Sequence, residues 1–288
     1  MTERSLTTKG TIRVKMVKIE KDWDAAYANA ASISDAQSYI DKWPGEAENF
    51  RNRTSCQLDI RYGEKERNAL DLFHPDHDSR GLFIFIHGGY WYRFDKSFWS
   101  HLAAGPLALG WHVAMPSYTL TPEARVPDIT SEISLAVLKA AELVDGPIVL
   151  AGHSAGGHLV TRQICSDTQL DSAVLNRVSR VISISGVHDL RPITRLEINK
   201  TIGLGKEEAE SESPALRQPY QDGVCVDCIV GGSELPEFRR QNALLANVWT
   251  GLGARTSCHE IDDKHHFNVI EDMQDEHGLV CDLLEQSR

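Results

Sequence analysis

Pro147–Gly157 reads PIVLAGHSAGG. The apolar run Ile148–Ala151 stops at Gly152, and after Gly157 the sequence HLVTRQIC has helical spacing. This is strand, tight turn, helix, with Ser154 at the tip of the turn. Gly152, Ser154 and Gly156 satisfy the pattern G-x-S-x-G. A serine on such a turn sits in strained backbone, and only small neighbours let strand and helix pass so closely. The strain exposes the hydroxyl, and the N-terminus of the following helix favours developing negative charge. A serine that merely caps a helix fits the five residues as well, but the flanking strand and helix supply the context that a nucleophile needs.

Outward from this turn, apolar runs alternate with helical patterns. Upstream, Cys56–Gly63 and Arg67–Pro75 read as two strands, and GLFIFIHGG (residues 81–89) as a third. The third is apolar throughout, as a strand buried on both faces must be. Then come a helix over 97–109, a strand over Trp111–Pro116, and a helix from Asp128, its expected cap, to about Val144. Downstream are strands at 178–186, 224–232 and 255–261, a helix at 236–249 opened by Pro236, and a closing helix over 267–286. This alternation predicts an α/β fold with a mostly parallel sheet covered by helices on both faces. A site in such a sheet lies at the carboxyl ends of the strands. Residues 187–222, rich in Pro, Glu and Ser, are longer than an ordinary connection and are expected to form a lid over the pocket. Residues 22–53 hold short helical stretches expected to pack over the domain or the site entrance, and residues 1 to about 18 read as a mobile tail.

A serine hydroxyl needs a base within reach, a group that orients the base, and donors for the oxygen that becomes negative. Gly88 and Gly89 end the buried third strand, and their N–H groups with that of Ala155 form the expected oxyanion hole. The base falls after the last strand, where His265 and His266 stand together, and His266 is the preferred choice. The acid falls after the penultimate strand. Glu234 is nearest to that strand end, Glu237 lies a helical turn further on, and Asp189, after the strand at 178–186, is a rival. His153, His158 and His188 could line the site but stand at the wrong end of the chain order to be the base. Tyr90 and Trp91, with Tyr92 and Phe94, offer a flat apolar wall for an aryl group, although one aromatic of such a cluster usually faces the core.

The chain has 288 residues, with 41% hydrophobic and 25% charged, enough for one large domain with a real core. Its formal net charge of −11 argues against nucleic acid and against an anionic membrane surface as partners. The N-terminus shows no apolar signal segment, and no run approaches the roughly 18 apolar residues of a membrane span, so a cytoplasmic location is expected. Six scattered cysteines are expected to be reduced. Cys225 and Cys228 have the C-x-x-C spacing, but a second ligand pair is not evident and the two lie on a strand, so a core role is expected rather than zinc. A small-molecule substrate is the expected partner, and a homodimer is the default assembly.

These motifs resemble the α/β-hydrolase fold and, within it, the kynurenine formamidase (arylformamidase) and small carboxylesterase group. HGGYW at 87–91 carries most of the resemblance. GHSAGGHL at 152–159, SGVHDL at 185–190, Ser213-Pro214, PEFRRQ at 236–241, HHFN at 265–268 and the upstream DWDAAYANA at 22–30 agree with it. The resemblance implies Ser154 as nucleophile, His266 as base and position 234 as acid, with no metal or organic cofactor. The group generally has Asp where this chain has Glu234, and Ser-His-Glu is an accepted variant. The implied activity is hydrolysis of a small aryl formamide. Alternatives are a broad carboxylesterase, another amidase or lactonase, and a binding protein of the same fold without catalysis.

Overall fold

A computed structural model describes residues 22–286. The expected tail at 1–18 lies outside them. The chain opens with three helices, α1 (Trp23–Tyr27), α2 (Asn29–Ser32) and α3 (Ala36–Arg51). Strands β1 (Cys56–Arg61), β2 (Ala69–Phe73) and β3 (Gly81–Ile86) follow, then two short 3₁₀ turns, α4 (Ala104–Ala108), β4 (Trp111–Pro116) and α5 (Val126–Leu143). Next come β5 (Ile148–His153), α6 (Ala155–Arg162), α7 (Ser172–Leu175) and β6 (Val178–Ile184). The region expected as a lid contains α8 (Asn199–Ile202) and α9 (Lys206–Ser211) between two 3₁₀ turns. The chain closes with β7 (Cys225–Gly231), α10 (Pro236–Thr250), β8 (Arg255–Ile261) and α11 (Leu279–Glu285).

The eight strands form one sheet in the order β1-β2-β4-β3-β5-β6-β7-β8. β1, β2 and β4 pair antiparallel, and every pair from β4 through β3 to β8 is parallel. This is the α/β-hydrolase architecture. The apolar third strand has a direct explanation in the packing. Leu82, Ile84 and Ile86 face a core shared with α5, α6 and α10, whereas Phe83 and Phe85 face a second core shared with α3, α4 and α11. Successive side chains of a strand point to opposite faces, so a sheet covered twice needs both sets apolar.

Several element ends differ from expectation. The helix expected from Asp128 begins at Val126, with Arg125 as N-cap. Asp128 occupies the third helical position, where its carboxylate accepts the Arg125 N–H at 3.0 Å. Pro127 fits this first turn because its missing N–H has no partner to lose there. The single helix expected over 97–109 is two 3₁₀ turns, Lys96–Phe98 and Ser100–Ala103, followed by α4. The closing helix is also broken, into a 3₁₀ turn at Val269–Gln274 and α11. Gly278 lies between the two, packed so that a Cβ there would meet the Asp272 carbonyl oxygen at 2.2 Å. Cys228 is buried and Cys225 half-buried on β7, and both are free thiols.

The segment 187–222 is anchored rather than loose. Glu212 accepts hydrogen bonds from Arg162 of α6 (3.1 Å) and Thr130 of α5 (2.6 Å). Gln241 of α10 accepts the backbone N–H groups of His188 and Asp189. Among the described residues no helix is long and apolar enough to cross a membrane.

Candidate active site

β5 delivers Ser154 with φ 56° and ψ −117°, a conformation an L-residue holds only when its surroundings impose it. The imposition comes from glycines. A Cβ on Gly152 would lie 2.2 Å from the Gly156 carbonyl oxygen, and one on Gly156 would lie 2.0 Å from that of Ile86 on β3. Any side chain at either position therefore drives α6 away from the sheet. The Ser154 N–H donates to the Ile184 carbonyl at 2.8 Å, tying the turn to β6.

After β7, the short loop to α10 brings Glu234 inward. Its Oε1 accepts the Ser185 hydroxyl at 2.5 Å and the Gly231 N–H at 2.9 Å. Its Oε2 accepts a hydrogen bond from His266 Nδ1 at 2.7 Å. Neither residue is more than 6% exposed. With Nδ1 committed to the carboxylate, the ring's Nε2 is the nitrogen left for acid–base work. Ser154 and His266 line one cavity.

The competing candidates are placed elsewhere. Asp189 forms a two-pronged ion pair with Arg191, at 2.8 and 3.0 Å, whereas the His266 Nδ1 bonds to Glu234. Burial raises the Asp189 pKa, but the hydrogen bonds from Arg191 outweigh it and leave the carboxyl below the ordinary range. Glu237 accepts the Tyr27 hydroxyl at 2.7 Å and so pins α1 to α10. His265 packs edge-on against Tyr39, with ring centres 5.2 Å apart.

Of the three upstream histidines, only His153 reaches the cavity. Its Nε2 donates to the backbone carbonyl of His266 at 2.9 Å, holding the loop on which that ring is mounted. Burial, followed by the proximity of His266, pushes its pKa well below the usual value, so the ring is neutral. His158 donates to the Glu212 carbonyl at 2.8 Å and His188 lies between Thr161 and Ser183, both shut inside the fold.

The loop after β3 approaches Ser154 closely. A Cβ on Gly88 would lie 2.9 Å from the Ser154 Cβ, and Gly89 has φ 111°, open to glycine alone at low cost. Ala155 is the first residue of α6, so its N–H is one of those left unpaired at a helix start. Tyr118 stacks on His87, at 4.4 Å between ring centres, and its hydroxyl donates to the His87 carbonyl. Tyr90 and Trp91 both have positive φ, and only the first of them lines the cavity. Tyr90 lines the cavity and its hydroxyl donates to the Tyr27 carbonyl at 2.6 Å. Trp91 does not line it. That ring is fully buried against His158, to which its indole N–H donates at 3.3 Å, so the expected substrate contact is a core residue.

The cavity holds about 310 Å³. Tyr92, Phe94, Trp99 and Phe267 complete its aromatic lining, while Tyr27–Ala31, Ile40 and Trp43 of the first three helices form the facing wall. Ile198, from the segment expected as a lid, adds one contact. Sequence reasoning missed Ser185, His153 as a support for His266, and most of the helical wall. For Ser185 the available signal was its place at the end of β6, one strand away from the acid.

The BD-FAE family model matches residues 70–223. The kynurenine formamidase of Danio rerio is 29% identical over 246 residues, covering 82% of this chain and 83% of the relative. A solved structure from Silicibacter sp. TM1040, provisionally assigned as a thioesterase, is 45% identical and superposes with a TM-score of 0.85 over 92% of this chain and 99% of that one. Esterase B of Lactobacillus rhamnosis shares the fold at 16% identity, with a TM-score of 0.64 over 93% and 96% of the two chains.

Proposed function

The chain belongs to the BD-FAE family, and on that premise we propose that it is a serine hydrolase of small formamide and ester bonds, with aryl formamides of the N-formylkynurenine type as preferred substrates. The observation that carries the reading is the Glu234–His266 hydrogen bond opening onto the same cavity as the strained Ser154. The formamidase and esterase names of the relatives agree with it, and the aromatic lining suits a flat apolar substrate.

In this mechanism Ser154 Oγ attacks the carbonyl carbon while His266 Nε2 takes its proton. The imidazolium is stabilised by Glu234, whose other oxygen is held by Ser185 and Gly231. The carbonyl oxygen becomes negative and rests on the N–H groups of Gly88, Gly89 and Ala155. The C–N or C–O bond then breaks, and His266 returns the proton to the departing amine or alcohol. Water attacks the acyl-serine by the same route, releasing the acid and restoring Ser154. His153 keeps the His266 backbone in register through both halves.

Replacing Ser154 by Ala should abolish p-nitrophenyl acetate hydrolysis in a protein that still folds, and unchanged turnover would overturn the serine mechanism. Rates on N-formylkynurenine and on simple aryl and alkyl esters, compared side by side, test the substrate class. A clear preference for the formamide supports the reading, and equal rates replace it with a general carboxylesterase.

A further inference from the structure

Among the residues that line the cavity, Arg93 is the only Arg, Lys, Asp or Glu. Its side chain is exposed, and the guanidinium lies over the Phe94 ring, with Cζ 4.9 Å from the ring centre. Phe94 also lines the cavity and packs edge-on against Trp43, ring centres 6.0 Å apart, so the cation stands at the edge of the aromatic lining. An arginine stacked on a ring uses its face and keeps the N–H groups along its edge for a planar, two-pronged partner, such as a carboxylate. Arg125, Arg191, Arg239 and Arg240 each have such a partner in the chain, whereas Arg93 has none among the described residues.

The base of this side chain is fixed. The Arg93 N–H donates to the Gly89 carbonyl at 3.0 Å, Phe94 holds φ 69°, and Arg67 donates to the Phe94 carbonyl at 2.5 Å. The same turn carries Gly88, whose Cα approaches the Ser154 side chain. One rigid turn therefore sets the separation between the serine and any group that Arg93 holds, within the reach of its side chain. The formal charge of the whole chain, −11, repels anions, and a cavity with one cation and no carboxylate in its lining reverses that locally.

We propose that Arg93 is a specificity-determining residue, which binds a carboxylate on the non-reacting end of an aryl substrate. The inference deepens the hydrolase reading and rests on it for the reaction, but not for the binding itself. N-formylkynurenine, with its free carboxylate, belongs to this substrate class. The pair forms at a wet rim, so its effect is that of an exposed ion pair, about fivefold in KM, and salt screens it.

The test compares charged and uncharged partners of one shape on the full chain and on Arg93→Gln and Arg93→Glu. As ligands, 3- and 4-acetylbenzoate are set against 3- and 4-acetylbenzamide. At low salt at least one of the two acids should raise the wild-type melting temperature more than its amide does. The difference should vanish in Arg93→Gln and change sign in Arg93→Glu. As substrates, 3- and 4-acetoxybenzoate are set against the matching carbamoylphenyl acetates. The ratio of amide KM to acid KM should fall about fivefold from wild type to Arg93→Gln for the favoured isomer. It should also fall in wild type as sodium chloride rises from about 20 to 300 mM. Ratios and thermal differences that are the same in wild type and Arg93→Gln overturn the inference, as does a wild-type preference for the amides. If wild type cleaves none of these esters, the hydrolase reading fails, and the thermal comparison still decides the role of Arg93.

Discussion

The cavity has two walls of different construction. One is made by the ends of β3, β5 and β7 and the loop after β8, which carry Gly88, Ser154, Glu234 and His266. Gly88, Ser154 and Glu234 are fixed by backbone, through a glycine contact under 3 Å, a positive φ and a hydrogen bond from the end of β7, and His266 is held by the His153 ring and the Glu234 carboxylate. The other wall is α1, α2 and α3, held by side chains. Tyr27 is its main link, donating to Glu237 and receiving a hydrogen bond from Gln241 at 3.1 Å. The contrast separates two tasks. In the proposed mechanism the reactive groups need placement to a fraction of an ångström, for which the sheet is the firmer support, whereas a wall on short helices can change its contacts without moving that chemistry.

Substitutions on the two walls should therefore behave differently. Ser154→Ala should lower kcat by about 10⁴–10⁶, as nucleophile removal does elsewhere, with the melting temperature held. Glu234→Gln should lower kcat by about 10³–10⁴, because the amide cannot stabilise the imidazolium, and Asp189→Asn should cost less than about fivefold, since its partner is Arg191. The reverse order in a steady-state assay would move the acid to Asp189.

Acid should weaken the strand-end wall. His87, His158 and His188 are buried around it, and burial lowers their pKa values to about 4, about 4 and about 3. Their unfolded values lie near 6.5, so below that pH the unfolded chain binds more protons than the folded one. Their neutral burial is without penalty above pH ~6.5, and stability falls as the pH drops toward ~4. Urea midpoints at pH 7, 5.5 and 4.5 should decline in that order, and a flat profile would contradict it. Residues 23–51 contain no histidine of their own, and α3 meets the same acid sensitivity through His101, which lies beside Glu46 and whose pKa burial lowers to about 4. On the helical wall the smallest effect is expected: Tyr27→Phe should cost about 1 kcal/mol and raise KM severalfold while kcat stays within about twofold. A collapse of kcat would mean that the two walls are mechanically one.

The same division explains what could be read from sequence. Gly152, Ser154 and Gly156 are contiguous, and their spacing states the geometry they need. Glu234 and His266 follow from the order of strands, because each lies at a strand end. Trp91 was misplaced because the letters HGGYW mark neither the positive φ of Tyr90 and Trp91 nor which of the two rings enters the cavity. The helical wall was legible only as a segment near the entrance. α1 and α2 are too short to show a period, so which of their residues face the cavity depends on where Tyr27 docks. Ser185 was hidden because a serine ending a strand is common, and its role exists only through a carboxylate 49 positions away.

The glycine contacts of the serine turn also order events in time. Gly156 packs on the Ile86 carbonyl of β3, and Gly157 on the Ser183 hydroxyl of β6, so the turn takes its working shape only when three strands from distant parts of the chain have docked. In a refolding experiment, enzyme turnover should return after helical circular dichroism and not along with it. On the proposed mechanism, a partly assembled chain would be unable to hydrolyse bystanders, which makes the onset of turnover a report that the sheet is complete.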